Sequence, residues 1–239
     1  MIEQIKNQIR ESFKNLYFEE EEHVYTLKGN KLPAVSNCID NYKREFETDI
    51  IAAAYAKKHK RKVVDVIKEW GDKKNAACDK GTKAHNFGEK YFYDKATKIE
   101  NGYDSGIVKF WKDIPSTIVP LVSETRLYSE TYKFAGTPDN LFWCTEREGI
   151  IVTDYKTNED IYKNFRGKKM LTPFDFLLDM PFNHYAIQLS YYRIPLEDLG
   201  FNVVGMFLIW LDGKGGYQRI KVPDYSNHLR YYMSDIPNY

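Results

Sequence analysis

The chain has 239 residues and a mass of 28.2 kDa, which suits one large domain better than two small ones. Hydrophobic residues make up 43% and charged residues 29%, which excludes a disordered, collagen-like or low-complexity chain. The net charge is only +1, so any nucleic-acid partner would need a local basic patch. Cys38, Cys78 and Cys144 form no CxxC or CxxH pair, which argues against a disulfide framework and against a zinc finger.

Nothing in the sequence predicts attachment to a membrane. The longest apolar run, Val203 to Leu211, is far shorter than the roughly 20 residues that a membrane helix needs. The N-terminal segment lacks the unbroken apolar core of a signal peptide. We therefore expect a cytoplasmic protein.

The first half of the chain is predicted to be mainly helical. From residue 48 to residue 99 the sequence is rich in Ala, Lys, Glu and Asp, which predicts two or three helices. Gly71 and Gly81 are expected to mark the breaks between them, and Ser36 is expected to cap a shorter helix. The other elements predicted here are a helix at the N-terminus, strands over 23–28 and 31–35, and a short helix over 103–113.

The second half changes to β-branched and apolar segments, which predict strands. Thr145 to Gly149 is polar and ends in glycine, so it predicts the turn of a hairpin. The predicted elements are strands over 117–128, within 131–144, and over 149–156, 202–211 and 217–222, a helix over 182–199 and a final helix from residue 224. Helices, three strands, a helix, two strands and a helix in this order predict a mixed α/β core with an N-terminal helical layer.

Two carboxylates and a lysine lie on the strands of this hairpin. Asp139 and Asp154 belong to its two strands, so they can come side by side. Residues i and i+2 of a strand share a face, so Asp154 and Lys156 point one way while Tyr155 points away, its carbonyl lying between them. These oxygens suit Mg²⁺ or Mn²⁺, and a lysine beside the metal can position a water molecule or help it lose a proton. The pattern predicts a site for phosphodiester hydrolysis.

Pro138-Asp139 and Asp154-Tyr155-Lys156 resemble the signature of the PD-(D/E)xK nuclease superfamily. Gly81-Thr82-Lys83-Ala84-His85 resembles the GTxxH helix motif of its RecB-like branch, in which the histidine is a metal ligand. The resemblance implies that His85, Asp139, Asp154 and the carbonyl of Tyr155 bind the metal, and that Lys156 orients or activates the attacking water. A histidine without a ligand role is the alternative for His85.

Two further features resemble the same branch. Gln188-Leu189-Ser190-Tyr191-Tyr192 matches a QxxxY motif, and Gln188 and Tyr192 share one helical face because they are four residues apart. The resemblance implies that they bind substrate phosphates or order the lysine and its water, and simple core packing of the tyrosine is the alternative. Glu124 corresponds to a glutamate that such enzymes often carry before the core, with Glu130 as a rival candidate.

The resemblance extends from about residue 17 to about residue 222, and it implies a restriction-endonuclease-like mixed β-sheet flanked by helices. We expect one nuclease domain over 1–239: an N-terminal helical layer over about 1–115 carrying His85, a catalytic core over about 116–222, and a C-terminal helix over 223–239. Several relatives bind an iron–sulphur cluster through four cysteines. No such cluster is expected here, because the chain has three cysteines and none after Cys144.

The activity implied by the resemblance is that of a metal-dependent DNA exonuclease in recombination, repair or end processing, as in phage exonucleases. Linear DNA ends, single- or double-stranded, are the expected substrate. A single-strand annealing or recombination protein is a partner by analogy, and the host cytoplasm is the location if the protein is phage-encoded. A structure-specific or restriction-like endonuclease is an alternative, and so is a non-catalytic nucleic-acid-binding module. The oligomeric state is left open.

Two basic groups outside the motifs are predicted to contact nucleic acid. They are Lys60, Arg61 and Lys62 in a helical stretch, and Arg166, Lys168 and Lys169 in the loop over 158–182. For the helical stretch the alternative is a solvated helix face. The loop is long for a compact domain, so it could form a lid over a substrate.

Overall fold

The structure is a computed structural model that describes residues 1–20, 22 and 24–235. The helices are α1 (Ile2–Phe13), α2 (Val35–Asp40), α3 (Thr48–His59), α4 (Val63–Tyr93), α5 (Gly102–Lys112), α6 (Pro181–Asp198) and α7 (Ser226–Asp235). The strands are β1 (Leu16–Glu19), β2 (Val24–Leu27), β3 (Asn30–Leu32), β4 (Ile118–Ser123), β5 (Leu127–Ser129), β6 (Phe134–Gly136), β7 (Asn140–Cys144), β8 (Gly149–Lys156), β9 (Val203–Leu211) and β10 (Tyr217–Lys221). Two predicted elements reach outside the described residues, the strand beginning at His23 and the last four residues of the helix over 223–239.

A five-stranded mixed sheet forms the centre of the fold, with the strand order β10-β9-β8-β7-β4. β7 and β8 form the predicted antiparallel hairpin, with Asn140 opposite Thr153 and Cys144 opposite Gly149. β8 and β9 run parallel, so the chain must cross over between them, and α6 lies in that crossover. The mixed α/β core predicted from the sequence is confirmed at this level.

Helices cover both faces of the sheet. Alternate residues of a strand point to opposite faces, and β7 shows this pattern: Leu141 and Trp143 join a core with α1, α2, α6 and α7, whereas Phe142 packs with α4 and α5. Val152 belongs to the first of these two cores and Tyr155 to the second. The sheet is therefore the middle of three layers.

The predicted breaks at Gly71 and Gly81 are wrong, because both glycines lie inside the 31-residue helix α4. A glycine in a helix costs about 1 kcal/mol relative to alanine, which is too little to end a helix supported by its neighbours. The break lies instead at Lys60, which has left-handed backbone angles (φ 52°) after α3. The helix after Ser36 begins one residue earlier, at Val35, and Ser36 does not cap it.

The strand predictions need three corrections. The N-terminal layer contains a three-stranded antiparallel sheet, in which β2 and β3 correspond to the predicted strands over 23–28 and 31–35 whereas β1 was not predicted. The predicted strand over 117–128 is divided into β4 and β5, and the one within 131–144 is divided into β6 and β7. β5 and β6 form a separate two-stranded sheet, and Ala135 of β6 also makes an isolated parallel bridge with Ala34. Within the described part of the chain, no helix has both the length and the apolar character needed to cross a membrane.

Candidate metal centre and active site

The β7–β8 hairpin brings the two predicted aspartates to one end of the central sheet. Asp139 immediately precedes β7, and Asp154 lies near the end of β8, one step beyond the Asn140–Thr153 pair. Both are buried, with 3% and 2% of their surface exposed. One carboxylate oxygen of Asp139, Oδ2, accepts a 2.5 Å hydrogen bond from the backbone amide of Tyr155. This bond ties the start of β7 to the end of β8 and fixes the orientation of the Asp139 carboxylate.

Glu124 reaches the same place from the neighbouring strand. It directly follows β4 and has a positive φ of 49°, a conformation that is uncommon for residues other than glycine and costs of order 1 kcal/mol or more. Its backbone amide donates to the carbonyl oxygen of Asp139 (3.0 Å), which also accepts from the hydroxyl of Ser123 (2.9 Å). These bonds hold the strained turn, and the turn directs Glu124 into the cavity around Asp139.

The α4 helix supplies His85. Its Nδ1 lies 2.6 Å from Oδ1 of Asp139, and 32% of its side chain is exposed, so the imidazole is accessible from solvent while Asp139 lies beneath it. One ligand atom each from His85, Glu124 and Asp139 lie within 4.8 Å of one another. Two carboxylates and an imidazole are a donor set that fits a divalent ion such as Mn²⁺ or Mg²⁺. These three residues could therefore hold a metal ion.

The cavity has an excess of acidic side chains, which favours the binding of a cation. Burial and the neighbouring Asp139 raise the pKa of Glu124 to about 10 and the pKa of Asp154 to about 6. Burial also opposes ionisation of Asp139, but His85 more than offsets it, so the pKa of Asp139 lies below its usual range. Burial disfavours the imidazolium of His85, and Asp139 in turn raises the pKa of His85 above its usual range. Carboxyl groups this close cannot all ionise without compensating positive charge, which a divalent ion would supply.

Lys156 faces Asp154, as the i and i+2 spacing on β8 predicts. Its ammonium forms an ion pair with Oδ2 of Asp154 and lies 3.3 Å from Oε1 of Gln188. Only 11% of the lysine side chain is exposed. Burial disfavours the ammonium, but Asp154 more than offsets this effect, so the pKa of Lys156 lies above its usual range.

The predicted Gln188–Tyr192 pair on α6 lies beside Lys156. Nε2 of Gln188 donates to the hydroxyl of Tyr192 over 2.9 Å, so Tyr192 orients the glutamine whose oxygen contacts the lysine. The ring of Tyr192 packs so closely on Gly136 that a Cβ added there would lie 2.6 Å from it. Tyr192 is thus packed in the core, and its role in ordering the lysine and its water remains a prediction.

Tyr155 points away from the aspartates, as predicted. Its ring is fully buried between α4 and α5, where its hydroxyl accepts a 3.0 Å hydrogen bond from Trp111. A Cβ added to Gly88 on α4 would lie 2.5 Å from this ring. Gly88 therefore lets α4 approach β8 closely, three residues after His85. Neither Asp154 nor the Tyr155 carbonyl belongs to the three-residue ligand group, and their roles as metal ligands remain predictions.

A cavity of about 360 Å³ opens above these residues. The sequence analysis missed some of the side chains around it. Arg126, two residues after Glu124, is an exposed cation that lines the cavity, and its guanidinium lies 5.5 Å from the centre of the Phe18 ring. Glu89 lines the cavity one turn after His85 on α4. The i, i+4 spacing from His85 was a signal that could have identified Glu89, whereas nothing near Phe18 in the sequence indicated its contact with Arg126.

Neither predicted basic group lines the cavity. Lys60, Arg61 and Lys62 lie between α3 and α4, and Arg61 forms a 2.7 Å ion pair with Glu69. His85 follows Val63 by 22 residues of continuous helix, so this group lies about 33 Å from His85 along α4. Arg166, Lys168 and Lys169 lie on the loop before α6, where Arg166 and Lys168 flank the exposed ring of Phe165.

The loop before α6 is fixed to the core by its apolar side chains. Ile161, Met170 and Phe174 are buried, and Phe174 is not exposed at all. Phe174 therefore holds the loop against the core. The comparisons with known proteins found no family model that matches the chain and no curated protein that is similar to it.

Proposed function

We propose that the protein is a metal-dependent nuclease of the PD-(D/E)xK type, with a restriction-endonuclease-like core, that hydrolyses phosphodiester bonds in DNA. The observation that carries the proposal is the convergence of Asp139, Asp154 and Lys156 on the β7–β8 hairpin with His85 and Glu124 around them. Five residues spread over 72 positions meet at one cavity of this fold. A short motif that matched by chance would not be expected to bring these five side chains to one cavity.

His85, Glu124 and Asp139 would hold the ion, with Asp154 and the Tyr155 carbonyl as the further ligands that the resemblance implies. Mg²⁺ or Mn²⁺ bound there would stabilise the negative charge that develops on the phosphate and on the leaving oxygen. Metal binding requires deprotonated ligands, so Glu124, whose pKa is raised to about 10, and the pair of His85 and Asp139 would give up protons on binding.

Lys156 would orient the attacking water. Its ammonium can donate three hydrogen bonds, and Asp154 and Gln188 hold it at the base of the cavity. Gln188 is in turn oriented by Tyr192. The chain Tyr192–Gln188–Lys156 therefore contributes to holding a hydrogen-bond donor beside the carboxylates, where a water molecule next to a bound phosphate would lie.

Arg126 would bind the substrate strand at the mouth of the cavity. Among the described residues, five acidic side chains line this cavity, whereas the lysines and arginines that line it are Lys156 and Arg126. Lys156 is paired with Asp154. The carboxylates are Glu20, Glu89, Glu124, Asp139 and Asp154. A polyanion needs positive charge to enter such a cavity, and an arginine can bind a phosphate through two parallel hydrogen bonds.

The basic group between α3 and α4 would contact the same DNA at a distance. Lys60 and Lys62 are exposed, and about 33 Å along α4 from His85 corresponds to about one turn of B-DNA. We propose that Arg166, Lys168 and Lys169 likewise contact phosphates of the DNA strand that lies nearest their loop.

An exonuclease acting in the cytoplasm on linear ends is our preferred form of the activity, because of the GTxxH and QxxxY resemblance.

The test is a gel assay on end-labelled linear DNA, single- and double-stranded, beside a covalently closed circle. Each substrate is incubated with Mg²⁺, Mn²⁺ or EDTA, and with wild type, Lys156→Gln and the exposed control Lys163→Gln. We expect metal-dependent loss of linear DNA alone, absent in Lys156→Gln and retained in Lys163→Gln. Cutting of the circle would favour the endonuclease. DNA binding without cleavage under any condition would contradict the proposal and favour the non-catalytic module.

A further inference from the structure

The two oxygen contacts of Lys156 do not fix its ammonium fully. Asp154 is one of the residues predicted to serve the metal ion, so its carboxylate would be shared between two cations. The other contact, to Gln188, is long at 3.3 Å, near the outer limit for a hydrogen bond. A third group is therefore needed to keep the lysine nitrogen in one place.

The face of the Tyr185 ring is in that position. The lysine nitrogen lies 4.3 Å from the ring centre, well within the range of a cation–π interaction. Tyr185 precedes Gln188 by three residues on α6, so both project from the same face of that helix. Two of these three contacts of the ammonium, those with Tyr185 and Gln188, therefore come from one helix.

The ring of Tyr185 is itself held in place. Its hydroxyl donates a 2.6 Å hydrogen bond to Oδ1 of Asn158, two residues beyond Lys156. The carbonyl of Asn158 accepts a 2.7 Å hydrogen bond from the indole of Trp210 on β9. The ring is thus braced between α6 and the end of the central sheet.

We propose that Tyr185 is a positioning residue that fixes the ammonium of Lys156 for the hydrolysis proposed above, on which this inference rests. A neutral ring face attracts an ammonium but does not bind a hard metal ion as oxygen ligands do. It can therefore hold the lysine while leaving the carboxylates to the metal. Tyr185 lies outside all three sequence motifs, and its role follows from the contact alone.

The kinetic test compares three variants on α6 by steady-state cleavage kinetics. Tyr185→Phe keeps the ring, and we expect a rate constant within about twofold of wild type. Tyr185→Leu removes the ring, and we expect kcat to fall roughly 10- to 30-fold with KM and the Mn²⁺ dissociation constant within about twofold. Phe182→Leu is the matched control, because it removes a partly buried ring from the same helix away from Lys156, and we expect no fall in kcat.

A second variant tests the brace. Asn158→Ala should lower kcat by about the same small factor as Tyr185→Phe, at most about twofold, because both changes remove the bond between the Tyr185 hydroxyl and Asn158. In the Tyr185→Phe background the same change should have no further effect, since the hydroxyl is already absent. Full additivity of the two changes would contradict the brace.

An activity-independent measurement separates this inference from the proposed function. In protein labelled with ¹³C-lysine, the ε-methylene protons of Lys156, assigned with Lys156→Met, should resonate upfield because of the Tyr185 ring. The upfield shift should persist in Tyr185→Phe and disappear in Tyr185→Leu. A resonance at the ordinary lysine position in wild type would overturn the inference, and so would equal kcat in Tyr185→Leu and wild type. An intact ring shift in a wild-type protein that cleaves no DNA would overturn the proposed function while supporting the Tyr185–Lys156 contact.

Discussion

The two halves of α4 differ although one continuous helix forms both. The C-terminal half carries His85 and packs through Ala84, Phe87 and Tyr91 against the sheet. The N-terminal half contacts α3 through a small cluster around Val66, and every residue from 71 to 79 is exposed. Burial along one helix therefore distinguishes a segment that holds the proposed site from an exposed segment that we propose to lie near the DNA.

The largest effect is expected at the buried end of the helix. Asp139→Asn removes a charge that both His85 and the amide of Tyr155 contact. We expect cleavage to fall by about 10³-fold or more, as for the loss of a central electrostatic group, with DNA affinity little changed. Quenched-flow cleavage and fluorescence anisotropy measure the two quantities separately. A parallel fall in both would mean that the carboxylate serves the fold rather than the reaction.

Two glycines of α4 test the difference in packing directly. Gly88→Ala would place a Cβ 2.5 Å from the buried ring of Tyr155, whereas Gly71→Ala meets nothing within 4 Å. We expect Gly88→Ala to lower the free energy of unfolding by about 1–3 kcal/mol through overpacking. Gly71→Ala should raise the same quantity by about 0.5–1 kcal/mol, because alanine favours the helix. Urea denaturation decides this, and equal signs for the two variants would refute the contrast.

Charge reversal at the far end of α4 should affect binding without affecting chemistry. The affinity for duplex DNA should fall less steeply with salt in the double variant Lys60→Glu with Lys62→Glu. The magnitude of the slope of log affinity against log salt should decrease by about 2, one for each lost phosphate contact. The rate of cleavage should not change for a duplex that is too short to reach from His85 to Lys60. The double variant Lys14→Glu with Lys98→Glu is the control, because both lysines are exposed elsewhere. An equal loss of slope in the control would mean that general charge is responsible.

The smallest effect is expected at the mouth of the cavity. Arg126→Ala should raise KM for DNA about 5- to 10-fold with kcat nearly unchanged, because the arginine binds the strand outside the reacting group. Arg126→Lys should recover part of the loss, since it keeps the charge without the paired hydrogen bonds. Arg219→Ala serves as the control, since Arg219 lines a different cavity with Phe207. A fall in kcat with unchanged KM would place Arg126 in the reaction itself.

The strands and the hairpin were predictable because their signals are local. The apolar run ending in Asp154 and Lys156 and the polar turn before it specify β7–β8, and the spacing of two specifies which residues share a face. The Asp139–Asp154 proximity followed from that hairpin. The continuity of α4 through Gly71 and Gly81 did not follow, because a glycine's cost in a helix is decided by the surrounding packing.

The contacts between distant segments were beyond the sequence. Glu124 was found through the family resemblance, but its left-handed backbone depends on hydrogen bonds to Asp139, 15 residues later. Tyr185 has no motif of its own, because its role depends on the position of Lys156 in another element. Likewise, the composition identified the basic group at Lys60–Lys62. Its distance from the cavity could be found only from the structure, because it depends on the length of α4.

The most direct test is a Mn²⁺ titration followed in one sample series by both calorimetry and DNA cleavage. We expect the Mn²⁺ concentration for half-maximal cleavage to match the dissociation constant of Mn²⁺. Asp139→Asn and Glu124→Gln should raise both quantities together. Cleavage that persists in EDTA, or tight Mn²⁺ binding that is unchanged in both variants, would contradict a catalytic metal site at His85, Glu124 and Asp139.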